Sequence, residues 1–189
     1  MARPVGRPRY DAKQKLTAAM RELLAERGYT ATSPKMVLDR AKLGQGSLYY
    51  HFAGKEELAT ATITTLMDRS LTILTEDLDS DDDPDSGTPT EGSPRGVLEV
   101  SRIETALTGL LSRREGSALV RLLADPAATH PGPLADAIAV WVHALRLLLT
   151  STLEDAQDKP GAAGQAEKLL TSAVGRQLLR IGTADRLPR

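Results

Sequence analysis

A chain of 189 residues with a net charge of only −1 and no cysteine has room for one sizeable core, or for a small domain followed by a larger one, and it excludes disulfides, thiolate zinc sites and thiol catalysis together. The near-zero total hides an asymmetry, because residues 1–57 hold 11 Lys and Arg against 6 Asp and Glu, leaving 13 against 19 for residues 58–189; phosphate contacts need cations concentrated in this way. No apolar run approaches the roughly twenty residues that cross a bilayer, and Tyr10, Asp11 and Lys13 follow the basic N-terminus where a signal peptide would be apolar, so no membrane partner is expected and a cytoplasmic location is.

The apolar residues repeat at helical spacing in a chain dominated by Ala, Leu, Arg and Glu, which makes the fold class all-α. Residues 1–10, MARPVGRPRY, read as a flexible basic arm. Within it Gly6-Arg7-Pro8-Arg9 looks like the core of an AT-hook, with Arg3, Arg7 and Arg9 suited to an A·T-rich minor groove; a disordered arm giving non-specific attraction is the alternative. Leu16, Ala19, Met20, Leu23 and Leu24 form a first helical stripe, ended by Gly28, a residue suited to the left-handed position past a helix. A short helix carrying Met36, Val37 and Leu38 can start after Ser33 with Pro34 in its first turn. Gly44 breaks it, Gln45 to Phe52 form the next short element, and Lys55 opens a long helix that reaches about Leu78.

Residues 79–96, DSDDDPDSGTPTEGSPRG, offer nothing apolar to bury and contain three prolines, so they read as a disordered acidic loop. Asp79, Asp81 and Asp83 imitate a calcium loop, but Pro84 stands where glycine is needed and Thr90 where the bidentate Glu belongs, so no metal site is expected. Stretches 97–111 and 118–123 read as helices and 125–133 as a Pro-rich connection. Two strong stripes close the chain, one running from Leu134 through Ile138, Trp141, Leu145 and Leu149 and the other from Ala166 through Leu170, Val174, Leu178 and Ile181, joined by a turn at 159–164. Such a pair folds as an antiparallel hairpin that can meet its own copy in a four-helix bundle.

Residues 28–58, GYTATSPKMVLDRAKLGQGSLYYHFAGKEEL, have the order of a helix-turn-helix: short helix, Gly-containing turn, short helix, long helix. The second helix of such a unit enters the major groove by its N-terminal end. Gly46 and Ser47 would let backbone approach base edges, and Gln45 can bridge an adenine or donate to a phosphate. Tyr49 and Tyr50, about 100° apart on a helix, cannot both point into a core. At least one faces outward, and a phenol packs along sugar while its hydroxyl bonds a phosphate. All four Tyr and the single Phe lie in the first 52 residues. Lys55 begins a helix, where the macrodipole disfavours a cation unless a phosphate is near.

Gly28-Tyr29, Thr32-Ser33, the run from Gln45 to Phe52 and Lys55-Glu56-Glu57-Leu58 match the signature of the tetracycline-repressor (TetR) family in order and spacing, over about residues 12–66. The chain resembles that family there, and beyond it in helical layout. The resemblance implies an N-terminal three-helix DNA-binding domain over 11–54 and a larger helical ligand-binding and dimerisation domain over 55–189. It implies double-stranded operator DNA and a second copy of the chain as partners, Gln45 and Gly46 at bases, and Ser33, Lys35, Ser47, Tyr49, Tyr50, His51 and Lys55 at backbone or groove edges, with Leu48 and Phe52 in the core. One departure stands out: Leu43-Gly44 precede Gln45 where the family has an apolar residue and Ser or Thr, so the recognition helix is expected to be weakly capped and its N-terminus to order on DNA.

The resemblance also implies that residues from about 67 onward bind a small effector that releases DNA. Trp141 is the only aromatic after residue 52, so the cavity would be aliphatic and its effector apolar, with Met67, Leu71, Leu111, Leu123, Trp141, His143 and Leu145 as lining; each also reads as ordinary core or interface. Leu145, Leu149, Leu170, Val174 and Leu178 are the expected dimer interface. His143 lacks a nearby carboxylate, so it is a poor metal ligand, and no cofactor is expected. No Gly-x-Ser-x-Gly elbow, phosphate loop or paired-His motif occurs, which argues against an enzyme. The alternatives are an activator or partner-controlled regulator of the same fold, and a sequence-tolerant architectural DNA binder.

Overall fold

The computed structural model describes residues 8–79, 95–156 and 161–184. Among these lie eight α-helices, α1 (Pro8–Arg27), α2 (Pro34–Ala41), α3 (Gly46–His51), α4 (Lys55–Asp79), α5 (Arg95–Ser112), α6 (Arg114–Leu123), α7 (Pro133–Ala156) and α8 (Ala162–Ala184), with a 3-10 turn at Pro126–Thr129 before α7. There is no strand among the described residues. The architecture is all-α, as the periodicity requires.

One apolar core runs from end to end. Leu16, Met20, Leu23 and Leu24 of α1 are buried in the same cluster as Leu58, Ile63 and Leu66 of α4, Leu107 and Leu110 of α5, and Trp141, Leu145 and Leu149 of α7. Helix α1 packs against α4 and α6, which ties the first three helices to the rest, and α4 packs against α7. Where α5 turns into α6 the backbones cross so closely that a Cβ on Gly116 would lie 2.4 Å from the Leu110 carbonyl oxygen and from Leu111 Cα.

Several sequence-based boundaries move. Pro8 and Arg9 belong to α1, so an extended AT-hook cannot include them; Arg3 and Arg7 lie outside the described residues. Of the acidic stretch, Asp79 ends α4 and Arg95-Gly96 open α5, while 80–94 lie outside the described residues. Helix α6 begins four residues before the expected 118, because Gly116, a helix breaker by propensity, is recruited for its small size. Helix α8 starts at Ala162, inside the expected turn. Among the described residues one helix segment, Pro133–Glu154 of α7, is long and apolar enough by length and composition alone to cross a bilayer, with a mean hydropathy of 1.4, because its few polar residues are dispersed. Only 28% of that stretch is buried within the chain.

The link between the front end and the body is a carboxylate. Gly28 ends α1 at φ +78°, the left-handed region that glycine occupies without steric penalty. Asp125, on the segment between α6 and α7, caps the 3-10 turn by accepting from Ala127 N at 3.0 Å. Its Oδ2 accepts from Thr30 N at 2.7 Å, and its Oδ1 accepts a short hydrogen bond from the Thr30 hydroxyl. A Cβ on Gly28 would stand 2.9 Å from Asp125 Oδ2, so dihedral and space both demand glycine. Thr32, buried, closes the turn by donating its hydroxyl to the Gly28 carbonyl at 2.7 Å. Burial of Asp125 raises its pKa, but the hydrogen bonds from Thr30, Ala127 and Tyr29 outweigh it and hold the carboxyl below its ordinary value.

Gly116→Ala is expected to lower stability by about 1–3 kcal/mol through overpacking, read as a shift in the urea midpoint at unchanged slope. Asp125→Ala leaves the Thr30 and Ala127 amides without their acceptor and should lose about 2 kcal/mol at neutral pH. Because the folded pKa is depressed, this contribution is present in full above the unfolded carboxyl value of about 3.9 and is lost as pH falls through the lower folded value. Denaturation curves of wild type and variant should therefore converge in acid; a constant gap would show that the charge plays no part.

Candidate nucleic-acid interface

The helix-turn-helix is assembled by caps and two anchors. Ser33, half-buried, caps α2 by accepting from Met36 N at 3.3 Å, and Pro34 fits the first turn. Lys35 is exposed in that turn. Lys42 ends α2 in the left-handed region at φ +55°, and Leu43 N reaches back to the Leu38 carbonyl at 3.0 Å. Helix α2 is clamped onto α1 by Arg40, whose guanidinium donates to both carboxylate oxygens of Glu26 at 2.8 and 2.9 Å and to Glu22 at 3.0 Å. The Arg40 hydrogen bonds pull the Glu26 pKa down against the opposing effect of burial.

Helix α3 hangs on its inner face. Leu48 is fully buried, and Phe52, 4% exposed, turns the chain extended while its N–H donates to the Leu48 carbonyl at 2.9 Å. Gln45 precedes the helix without a side-chain cap, the expected effect of Leu43-Gly44 in place of a Ser or Thr; the helix is nonetheless formed from Gly46 on. Gln45, Gly46, Tyr49 and Tyr50 form the exposed face, with Ser47 and His51 half-buried at its edges. Both tyrosines face outward, at 64% and 63% exposure, where the sequence required only one to do so. The Tyr50 and His51 rings meet edge-on with centroids 4.9 Å apart. A Cβ on Gly44 or Gly46 would meet no atom within 4 Å, so packing does not demand these glycines and the surface in front of them is open.

Lys55 has a partner that the sequence did not reveal. Its Nζ lies 3.8 Å over the Tyr29 ring, the residue between Gly28 and Thr30 in the turn that Asp125 holds. Burial lowers the Lys55 pKa and the Asp125 charge opposes it; burial likewise raises that of Tyr29, with Glu56 and Asp125 adding to it. A cation at the start of α4 is thereby accounted for within the protein. The corner before α4 is held by Ala53 N donating to Glu57 at 2.5 Å.

The expected effector lining does not converge on one cavity. Trp141 and Leu145 are fully buried and Leu111 is 1% exposed, so they are core; Leu123 and His143 face outward, His143 beside Arg146 at 3.1 Å. Met67 and Leu71 are half-buried against the core. Three of the surface clefts are lined by other residues. The expected interface is also corrected: Leu145 and Leu149 are fully enclosed within the chain and Leu170 nearly so, because the hairpin stripe packs on α4, α5 and the facing helix. Val174 and Leu178 keep part of their surface, and Val140, Leu147 and Leu179, at 56%, 55% and 73% exposure, are the large apolar residues on the outside of the hairpin. Lys13 and Arg21 line a cleft beside Tyr50 and His51; in the sequence only their i, i+8 spacing on α1 marks them.

Residues 16–62 match the family described as bacterial regulatory proteins, tetR family. Over 53 residues the chain is 38% identical to an HTH-type transcriptional regulator in the lacX 3' region of Lactococcus lactis subsp. lactis, a match covering 28% of this chain and 27% of that protein. The chain thus matches about a quarter of that relative's length. In fold it is similar to E. coli NemR in its reduced form, with a TM-score of 0.72 at 22% identity over 92% of this chain and 89% of that one. It is similar too to a transcriptional regulator from Rhodococcus sp. Rha1, with a TM-score of 0.67 at 24% identity over 93% and 87% of the two chains, and to a TetR regulator from Legionella pneumophila, with 0.68 at 17% over 94% and 88%. The front end, residues 16–62, carries the sequence match to the tetR-family regulators, and nearly the whole chain shares the fold of the solved structures named above.

Proposed function

We propose that this protein binds a palindromic operator as a homodimer, represses transcription there, and is released by a small apolar effector. The observation that carries the DNA reading is the outward pair Tyr49 and Tyr50 on a helix fixed from behind by Leu48 and Phe52. Two large amphipathic rings left in water are informative where a lone exposed leucine would not be. Gln45 and Gly46 face base edges, while Ser33, Lys35, Ser47 and His51 meet the backbone and set the register. Lys55 contributes through Tyr29, holding the turn in front of α2.

Dimerisation follows from the outside of the hairpin. Val140 and Leu147 of α7, seven residues apart and so on one flank, are exposed, and Val174 and Leu178 of α8, the helix packed on α7, keep part of their surface. Apolar surface left over on two adjacent helices favours a self-complementary contact, and a two-fold dimer presents two recognition helices to two half-sites. The effector reading is supported by Trp141, which is fully buried with its indole N–H lacking an acceptor among the described residues. An oxygen on an otherwise apolar effector would satisfy that donor.

Fluorescence anisotropy with DNA from upstream of the gene, against shuffled DNA of the same composition, tests the reading. Preference for the palindrome by about 4 kcal/mol or more is expected, with Tyr49→Ala weakening it at least tenfold and Lys35→Ala reducing the salt slope by about one. Equal affinity for the two duplexes would replace the operator reading with an architectural one. For the interface, Val140→Glu combined with Leu147→Glu should yield monomers in sedimentation velocity that keep wild-type helicity; a dimer that persists would move the contact elsewhere.

A further inference from the structure

Helix α1 turns more than its apolar stripe to use. Lys13, Thr17 and Arg21 follow one another at steps of four residues and so share a face, which with Gln14 forms one wall of a cleft of about 710 Å³ whose other side includes Tyr50 and His51 of α3. No carboxylate lines it. Elsewhere on the described surface Lys15 is paired with Asp11, Arg40 with Glu22 and Glu26, Arg113 with Asp77, and Arg114 with Glu22. Lys13 and Arg21 have no ion-pair partner among the described residues. The Arg21 Nε is buried without a hydrogen-bond partner there, and the Lys13 ammonium stands 5.6 Å over the Phe52 ring, the residue that closes α3.

We infer that this cleft is a seat for a phosphate-type anion, with Lys13 and Arg21 supplying charge and Thr17, Gln14, Tyr50 and His51 the polar groups around it. Lys13 and Arg21 bring two positive charges to one carboxylate-free wall, and an oxyanion there would balance them while giving the Arg21 Nε the acceptor it lacks. Tyr50 and His51 belong to the recognition helix, so a DNA backbone running past α3 can deliver one of its phosphates to α1. A freely diffusing phosphorylated solute offers the same chemistry and would then compete with DNA at the reading helix itself. The DNA source rests on the operator-binding reading above; the anion seat does not.

The test uses the full chain, its Lys13→Gln and Arg21→Gln variants, and Lys15→Gln on the same helix as a control for general field effects. Without DNA, pyrophosphate should raise the wild-type thermal midpoint above that in chloride at equal ionic strength, and the two cleft variants, folded by circular dichroism, should lose the shift while Lys15→Gln keeps it. With DNA, each cleft variant should lower the salt slope by about 0.9, the value of one phosphate contact. A slope change shows DNA as the occupant, and a pyrophosphate shift with an unchanged slope shows a free anion. Absence of both, or an equal slope change in Lys15→Gln, would overturn the seat. Should wild type bind no DNA, the pyrophosphate measurement still decides the cleft and only the operator reading fails.

Discussion

The front of this molecule depends on a single carboxylate reaching across 95 residues of sequence. Asp125 gathers Thr30 N, the Thr30 hydroxyl and Ala127 N around two oxygens in a buried position. Hydrogen bonds to a charged acceptor are directional and stronger than neutral ones, whereas apolar contacts tolerate sliding. The turn that starts α2 is therefore fixed in position as well as distance, and α2 in turn fixes α3. Gly28 is the complement of that carboxylate, since any Cβ there would collide with it. Tyr29, between the two gripped positions, gives its ring face to Lys55, so one three-residue turn receives Asp125 on its backbone and α4 on its side chain.

Charge does two different jobs around helix α3. Arg40, Glu22 and Glu26 neutralise one another and make a clamp between α1 and α2. Lys13 and Arg21 are left open beside α3. Internal pairing fixes geometry at the expense of attraction for outside anions, and unpaired cations do the reverse. A net +5 on residues 1–57 therefore overstates the charge free to act outward, and the location of the unpaired part carries more meaning than the sum.

The helical frame was legible because its signals are local. Ser33 before Pro34, Gly28 after Arg27, and Leu48 with Phe52 at four-residue spacing each act through neighbouring backbone, and the structure has them where spacing put them. Asp125 looks in the sequence like part of a Pro-rich connection, because nothing local marks a residue whose partner is Thr30. Lys55 was assigned an external anion for the same reason, its partner being an aromatic face on another segment. The hairpin stripe illustrates a different ambiguity. A helix with apolar residues on more than one flank does not say which flank meets its own chain, and Leu145 and Leu149 went inward while Val140 and Leu147 stayed out.

Helix α3 has six residues and only one of them, Leu48, is buried. Its exposed positions, Gly46, Tyr49 and Tyr50, can change side chain with little penalty to folding, because the helix is held by that leucine and by Phe52 beyond its end. Gly44 and Gly46 add room, as neither is demanded by packing. On the proposed reading of α3 as the DNA-contacting helix, descendants of this sequence can therefore drift from one target to another by point substitutions at these exposed positions. The scaffold stays intact while its vocabulary changes.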